Sequence, residues 1–286
     1  MDTELAGLLR RLRGHPNLQI GAAITVVVVL LALVSLVWTP YRIEDQLIAN
    51  RFATPSFAHP LGTDQYGRDT LTRIMLGAGN ALMVGIVAVA IGAIVGVAVG
   101  LFAAIEGGVV EAVLMRCSDF VFAFPAILSA MLFTAWQGPG AINAIVAIGI
   151  FNIPVFARLA RGSAKAVLAR EFVRAAQAMG QTMPMIAIRH VLPNIAGVLV
   201  VQATTQFAIA ILADAGLSYL GLGIQPPHPS WGKMLFDMQT MTGMAPMQAV
   251  YPGLAIVLSV LGFNLLGDGL RDLLDTRTVG RPQMLA

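Results

Sequence analysis

An enzyme centre or a metal site needs ionisable side chains grouped at fixed spacings, and this chain has few to group. Its four histidines, His15, His59, His190 and His228, are scattered and give none of the spacings that zinc sites use. The single Cys117 excludes an internal disulfide. The glycine-rich stretch "GLGIQPPHPSW" lacks the G-x-x-x-x-G-K-[ST] order of a phosphate cradle, and neither Lys165 nor Lys233 sits in such a loop, so productive ATP binding is not expected. An intramembrane hydrolase would need a nucleophile and a base at membrane depth, but the histidines fall at or beyond the ends of the apolar runs. Two charged features remain. Asp214 is nearly the only acid inside an apolar run; it is a functional candidate by position, or else a cap or ion-pair partner where its helix breaks at Gly216. Arg116 and Asp119, three apart, are expected to pair near one membrane surface.

One segment is soluble in character although it lies between long apolar runs: "EFVRAAQAMGQTMPMIAIRHVLPN", residues 171 to 194. As a helix it puts Phe172, Ala175, Ala176 and Met179 on one face, with Arg170, Arg174, Gln177 and Gln181 around the rest. Ala175 and Ala176 are small enough for another chain to approach closely. Gly180 is a helix stop, and Pro184 follows it. Periodicity alone fits a helix lying on the bilayer interface and a plug for a partner's groove equally well.

The elements that hold this segment are membrane helices. Of 286 residues, 57% are hydrophobic and only 12% charged, about half the charged share of a soluble domain. A crossing needs roughly 20 apolar residues. The uncharged runs predict six crossings: Leu18 to Trp38, about Asn80 to Ala104, two within Phe120 to Ala157 separated by "QGPG" at 137 to 140, Ile195 to about Gly216, and Tyr251 to Leu266. The first run follows Arg10, Arg11 and Arg13 as a signal peptide's core would, but its length and the lack of an A-x-A site favour a retained anchor. With the N-terminus inside, the inner segments hold 13 Lys and Arg and the outer segments 5, which predicts both termini in the cytoplasm. The net charge of +3 is then a matter of topology, and no nucleic-acid partner is expected. Gly92, Gly96 and Gly100 mark one face for close helix packing, within this chain or against another. Pro226, Pro227 and Trp231 suggest a rigid outer connection anchored at the interface. The chain reads as one all-α integral membrane domain without repeats of 20 to 50 residues.

The 171 to 194 segment resembles the cytoplasmic loop of the membrane subunits of binding-protein-dependent ABC importers, where E-A-A, three residues, G, nine residues and I-x-L-P recur in order. Arg174-Ala175-Ala176, Gly180 and His190-Val191-Leu192-Pro193 keep that spacing, with Arg174 in place of the usual Glu and His190 in place of the usual Ile. "HPLGTDQYGRDTLTRIMLGA", "GGVVEAVLMRCSDFVFAFP", "ILADAGLSYLGLGIQPPHPSWGKML" and "YPGLAIVLSVLGFNLLGDGLRDLLD" are similar to the dipeptide, oligopeptide and nickel permeases, in particular to the second of each permease pair. The resemblance covers roughly residues 40 to 277.

It implies a type I importer permease in the bacterial inner membrane. The expected layout is a cytoplasmic tail (1–17), a first helix (18–38), an extracytoplasmic segment (39–79), a five-helix core (80–270) and a cytoplasmic tail (271–286). Within the core lie a coupling loop (158–194) and an outer connection (217–250). The coupling residues would be Glu171, Phe172, Arg174, Ala175, Ala176, Met179, Gly180 and Pro193. Asp214, Gly221, Gly223, Pro226, Pro227 and Trp231 are candidates for an outer gate or a binding-protein contact, or for a stiff linker. The implied partners are a second permease, two ATP-binding subunits that carry ATP and Mg, an extracytoplasmic solute-binding protein and membrane lipid. The chain itself would bind no cofactor and catalyse nothing. Peptides are the expected solute, with nickel chelates, glutathione or opine-like conjugates as alternatives. An ion-coupled secondary carrier is the rival of another class, and the mostly uncharged spans argue against it.

Overall fold

The computed structural model describes residues 15–124 and 126–274; Arg10, Arg11, Arg13, Pro125 and the tail from 275 onward lie outside the described residues. The described chain is helical, with one isolated β-bridge between Thr63 and Asp69. The helices are α1 (Pro16–Val37), α2 (Thr70–Glu106), α3 (Gly108–Ala123), α4 (Ala126–Gln137), α5 (Ala141–Leu168), α6 (Glu171–Ala178), α7 (Met183–Tyr219), α8 (Trp231–Met238) and α9 (Met247–Leu274). Five of them (α1, α2, α5, α7 and α9) are long and apolar enough to cross a membrane. A sixth crossing arises if α3 and α4 count as one broken span. Helices suit a bilayer because each closes its own backbone hydrogen bonds where no water is available to do so.

The predicted third crossing is the part that changes most. Rather than one helix from Phe120, it is two short helices bent by 84°. The bend falls at Phe124, which has extended geometry at φ −95° and ψ 132°. The next residue in the sequence is a proline, whose ring disfavours helical geometry in the residue before it. Other boundaries shift outward. Helix α2 begins at Thr70, ten residues before the predicted Asn80, because Asp69 caps it by accepting from the Thr72 N–H at 2.8 Å. The predicted loop 158–194 is largely helix as well. Residues 158–168 finish α5 and 183–194 begin α7, so only about fourteen residues lie between the long helices.

Helix α2 and α5 form the central pair. A Cβ on Gly92 would run into Asn152, one on Gly96 into the Ile153 carbonyl and Phe156, and one on Gly100 into the Ala157 carbonyl. The small-residue face therefore packs inside this chain, the first of the two alternatives. Helix α1 seats on α9 in the same manner, with Gly21 against the backbone at Leu265–Leu266, Gly262 against Ile24 and Gly269 against Leu18. That last contact puts the beginning of α1 and the end of α9 at the same end of the bundle. Gly197 near the start of α7 meets Leu274, so this is also the end that carries α6. The opposite end holds the 39–69 segment, α8 and the start of α9.

Because alanine at these glycines already collides with backbone, Gly96→Leu should lower the stability of the purified protein by more than about 3 kcal/mol, the upper end of ordinary overpacking costs. Gly243→Leu, where nothing lies within 4 Å of a Cβ, should leave the melting temperature within about a degree of the parent. Thermal unfolding in detergent followed by intrinsic fluorescence makes the comparison.

Candidate functional site

At one end of the bundle, α6 is a free-standing two-turn helix tethered by its inner face. Val173 and Ala176 are fully buried and join Ala160, Ala164 and Val167 of α5 and Ile186, Val191 and Ile195 of α7 in one apolar cluster. This corrects the predicted face. Ala176 packs inward, and its partner across the helix is Val173, which the pattern of Phe172, Ala175, Ala176 and Met179 omits. Phe172 (40% exposed), Ala175 and Met179 (74% exposed) face away from the chain together with Glu171 and Arg174. Neither Glu171 nor Arg174 forms an ion pair among the described residues.

The end of α6 explains Gly180. Its φ is +82°, the Gly180 N–H donates to the Gln177 carbonyl at 2.9 Å, and the Gln181 N–H donates to the Ala176 carbonyl at 3.1 Å. This is the paired-bond helix stop that requires a left-handed residue, and glycine takes that conformation without a Cβ penalty. A Cβ there would meet nothing within 4 Å, so what constrains the residue is backbone conformation and not space. His190 accounts for its own departure from the motif: its Nε2 lies 3.0 Å from the Gln181 Oε1, tying the turn after α6 to the first turns of α7, and its ring stands edge-on to Phe172 at 6.3 Å. Residues 187–191 form a widened π turn just before Pro193, whose missing N–H leaves a carbonyl of the preceding turn without its usual donor.

Charges above α6 hold α3 in place. Glu111 accepts from Lys165 at 2.5 Å and also pairs with Arg161. Asp119 binds Arg158 at 2.6 Å and not Arg116, contrary to the expected i, i+3 pair. The reason is that α3 lies across α5, and Arg158, stacked on Phe122 at 4.2 Å, reaches Asp119 from there while Arg116 points outward.

The opposite end contains an interlocked polar group that sequence reading missed. Asp64 accepts from the N–H groups of Tyr66 and Arg68 at 2.8 and 3.0 Å and from Arg68 Nε at 2.7 Å, and it lies 3.3 Å from Arg73 Nη1. Asp237 of α8 completes the set, 3.1 Å from Lys233 and 3.8 to 3.9 Å from Arg73 and Arg68. Asp69 receives His59 at 3.0 Å, and Gln248 of α9 accepts from Thr70 Oγ1 at 2.6 Å while donating to the Leu61 carbonyl at 2.9 Å. The 59–73 stretch is thereby fastened to α8 and α9. A signal was present, since an Asp, Arg and second Arg in "GTDQYGRDTLTR" are conspicuous in so apolar a chain.

The outer candidates belong to this end. Trp231 is 4% exposed, and its indole N–H donates to the Ile74 carbonyl at 3.1 Å while its ring covers Gly77, so it is a buried wedge between α8 and α2 and not an interface anchor. Asn80 donates to the Pro229 carbonyl at 2.8 Å, and the Pro226–Pro227 bond is cis. Asp214 is 3% exposed and does not cap a break at Gly216, because α7 runs on to Tyr219 and stops instead at Gly221, with φ +79°. That stop repeats the bond pattern of Gly180, the Leu222 N–H reaching the Leu217 carbonyl at 2.8 Å. Gly223 sits tightly over Ser218, and Gln225 closes the turn by donating to the Gly221 and Gly223 carbonyls. Asp214 Oδ1 has no hydrogen-bond partner among the described residues.

A bundle of apolar helices with a small tethered helix at one end and a fastened cap at the other has the form of an integral membrane subunit. Residues 96–280 match the family described as binding-protein-dependent transport system inner membrane component, and the chain belongs to that family. It is a multi-pass protein of the bacterial inner membrane, and its family is that of the non-catalytic permease components of ABC transporters. Among its relatives, the dipeptide transport system permease protein DppC of Alkalihalophilus pseudofirmus is 42% identical over 90% of this chain and 85% of that protein. The glutathione transport system permease protein GsiD of Escherichia coli is 41% identical over 95% of this chain and 90% of its own length. In fold the chain is similar to the inward-facing MetNI methionine ABC transporter, with a TM-score of 0.58 and 18% identity over 70% of this chain and 95% of that one.

Breaking the buried Asp64–Arg73 contact from one side should strand a charge. Asp64→Leu is expected to cost about 3–5 kcal/mol, and Asp64→Leu combined with Arg73→Leu less than the sum of the two singles. Hydrogen exchange of residues 59–73 in a double-mutant cycle measures this.

Proposed function

We propose that this chain is the permease of an ATP-driven, binding-protein-dependent importer of di- or oligopeptides, with glutathione as the nearest alternative solute. The observation that carries the coupling part is α6: a two-turn helix anchored through Val173 and Ala176, with Phe172, Ala175 and Met179 presented outward. Relatives named for dipeptide and glutathione transport, each about two-fifths identical over nearly the full length, support the solute class.

In this reading α6 and both chain termini face the cytoplasm. Of the basic residues at the two ends of the described bundle, Arg116, Arg158, Arg161, Lys165, Arg170, Arg174, Arg189 and Arg271 lie at the α6 end and five at the other, the asymmetry expected of an inside face. An ATP-binding subunit, which carries the ATP and Mg, receives the outward face of α6 in a groove; a second ATP-binding subunit serves the paired permease. When the ATPases close, the push on α6 passes through the Val173 cluster into α5 and α7 together, because residues of both line it. The π turn before Pro193 and the glycine stop at Gly180 set the angle at which the push arrives. At the outer end, the 39–69 segment, α8 and the 217–230 turn form the face offered to the solute-binding protein, and Asp214, Gly221, Gly223, Pro226, Pro227 and Trp231 shape the closure below it. Arg174, without an ion pair among the described residues, lies on the outward face of α6 that the ATPase would meet, and the family's usual Glu would be accommodated at the same place.

Single cysteines in a Cys117→Ser background test the orientation: a cysteine at 174 should resist a membrane-impermeant maleimide in intact spheroplasts while one at 57 reacts, and the reverse labelling would invert the topology. Gly180→Arg should insert into the membrane at the parent level yet retain less than about a tenth of the ATPase subunit on co-purification and lose uptake. Normal uptake by that variant would remove α6 as the coupling element. Arg174→Glu should assemble and transport.

A further inference from the structure

The broken α3–α4 crossing leaves a cavity of about 320 Å³ against α5 and α7. Its wall is apolar, with Phe122, Ile127, Ile148 and Ile209 among its residues, except for two carboxamides, Asn152 of α5 and Gln206 of α7. Both side chains belong to residues more than nine-tenths buried, and the Asn152 Nδ2 has no hydrogen-bond partner among the described residues. Neither is placed by accident of a flexible turn. Asn152 is pinned by the α2–α5 seam, since a Cβ on Gly92 would collide with it, and both residues sit in mid-helix. At about 1.5 Å per residue, Asn152 is about 16 Å from the start of α5 and Gln206 about 20 Å from the end of α7, which puts both near half depth in the bundle.

We propose that this cavity is a subsite of the translocation path that recognises the backbone amide of a passing peptide through Asn152 and Gln206. The inference rests on the reading of the chain as a peptide permease and names the chemistry of its path. A buried amide donor without an acceptor costs about 1–3 kcal/mol, and a cavity of this size lies at the small end of ligand sites, well above the space one water fills. A carboxamide offers a donor and an acceptor on one plane, the complement of a peptide group, which also offers one of each. Peptides of differing side chains have that group in common at every link, besides their charged termini. Among the described residues no ionised side chain lines the cavity, so it offers no counter-charge to a solute's ionised groups and the carboxamides are its polar handles. The apolar remainder tolerates side chains of many shapes without selecting among them. The second permease would close the open side.

The test uses the complete importer, with both permeases, its ATPase subunits and its binding protein, in proteoliposomes. Three probes are compared at saturating binding protein: trialanine, its ester-linked analogue with lactate in the central position, and glutathione. The parent should prefer trialanine over the ester, and Asn152→Leu and Gln206→Met should each lower trialanine uptake about tenfold or more and bring the trialanine-to-ester ratio several-fold closer to one, as expected when a hydrogen bond to the solute is removed. Because the binding protein is the same throughout, a change in ratio arises in the membrane. Should Asn152→Leu not fold, the nearly isosteric Gln206→Met carries the test alone. A ratio unchanged in Gln206→Met, at whatever uptake, overturns the subsite and leaves the proposed function standing. Uptake of neither trialanine nor glutathione by the parent overturns the peptide reading, and the subsite with it.

Discussion

The seam between α2 and α5 is the contact from which the rest of the molecule takes its geometry. In lipid there is no gain from hiding one apolar helix against another, so association depends on packing, and packing depends on how near two backbones can come. Gly92, Gly96 and Gly100 remove the side chains that would hold α2 away, and the backbone of α5 from Asn152 to Arg161 fills the space. Once these two helices are fixed, α7 can lie against both, with Phe207 over Gly85 of α2 and Ala210 and Leu217 in the cluster that also holds Val84, Ala88, Ile145 and Ile148. The outer helices α1 and α9 close on each other through a second set of glycines, Gly21, Gly262 and Gly269.

The seam also joins the two ends of the molecule. Helix α5 carries at one end the small residues Ala160 and Ala164 that receive α6, and in its middle the asparagine that opens onto the α3–α4 cavity. Helix α2 carries at its start Arg73 and Thr70, which fasten the outer segment, and further along the glycines that hold α5. The apolar cluster beneath α6 therefore ties it to the long helices and not to loops. That cluster is built from α5 and α7, and both of those helices pack on α2.

Polar chemistry in this chain is confined by the same medium. Charges occur at the two ends, where several pair across elements, Asp119 with Arg158, Glu111 with Lys165 and Asp64 with Arg73, while Lys233 and Asp237 pair along α8. Half-exposed pairs such as Asp119–Arg158 contribute little to stability and chiefly orient α3. The Asp64 group is different, being largely withdrawn from water and saturated with donors, and it converts a segment with almost no apolar core of its own into part of the bundle.

By itself the sequence determined that the chain crosses a membrane, about how often, which end is basic and where the soluble helix at 171–178 and its glycine stop lie, because each is a local property: an apolar run, a charge count, a residue that alone adopts positive φ. It also carried the family through ordered motifs. What only tertiary structure decided is which neighbours those residues meet. Helical periodicity put Ala176 and Met179 on one face, but the contact with α5 and α7 selected Val173 and Ala176 instead, since an inner face is defined by what lies opposite it. Trp231 reads as an interface residue until Gly77 provides a slot for it, and Asp119 reads as Arg116's partner until α5 brings Arg158 within reach. Asn152 and Gln206 lie 54 positions apart, and nothing short of the packed α5–α7 pair shows that they share one cavity.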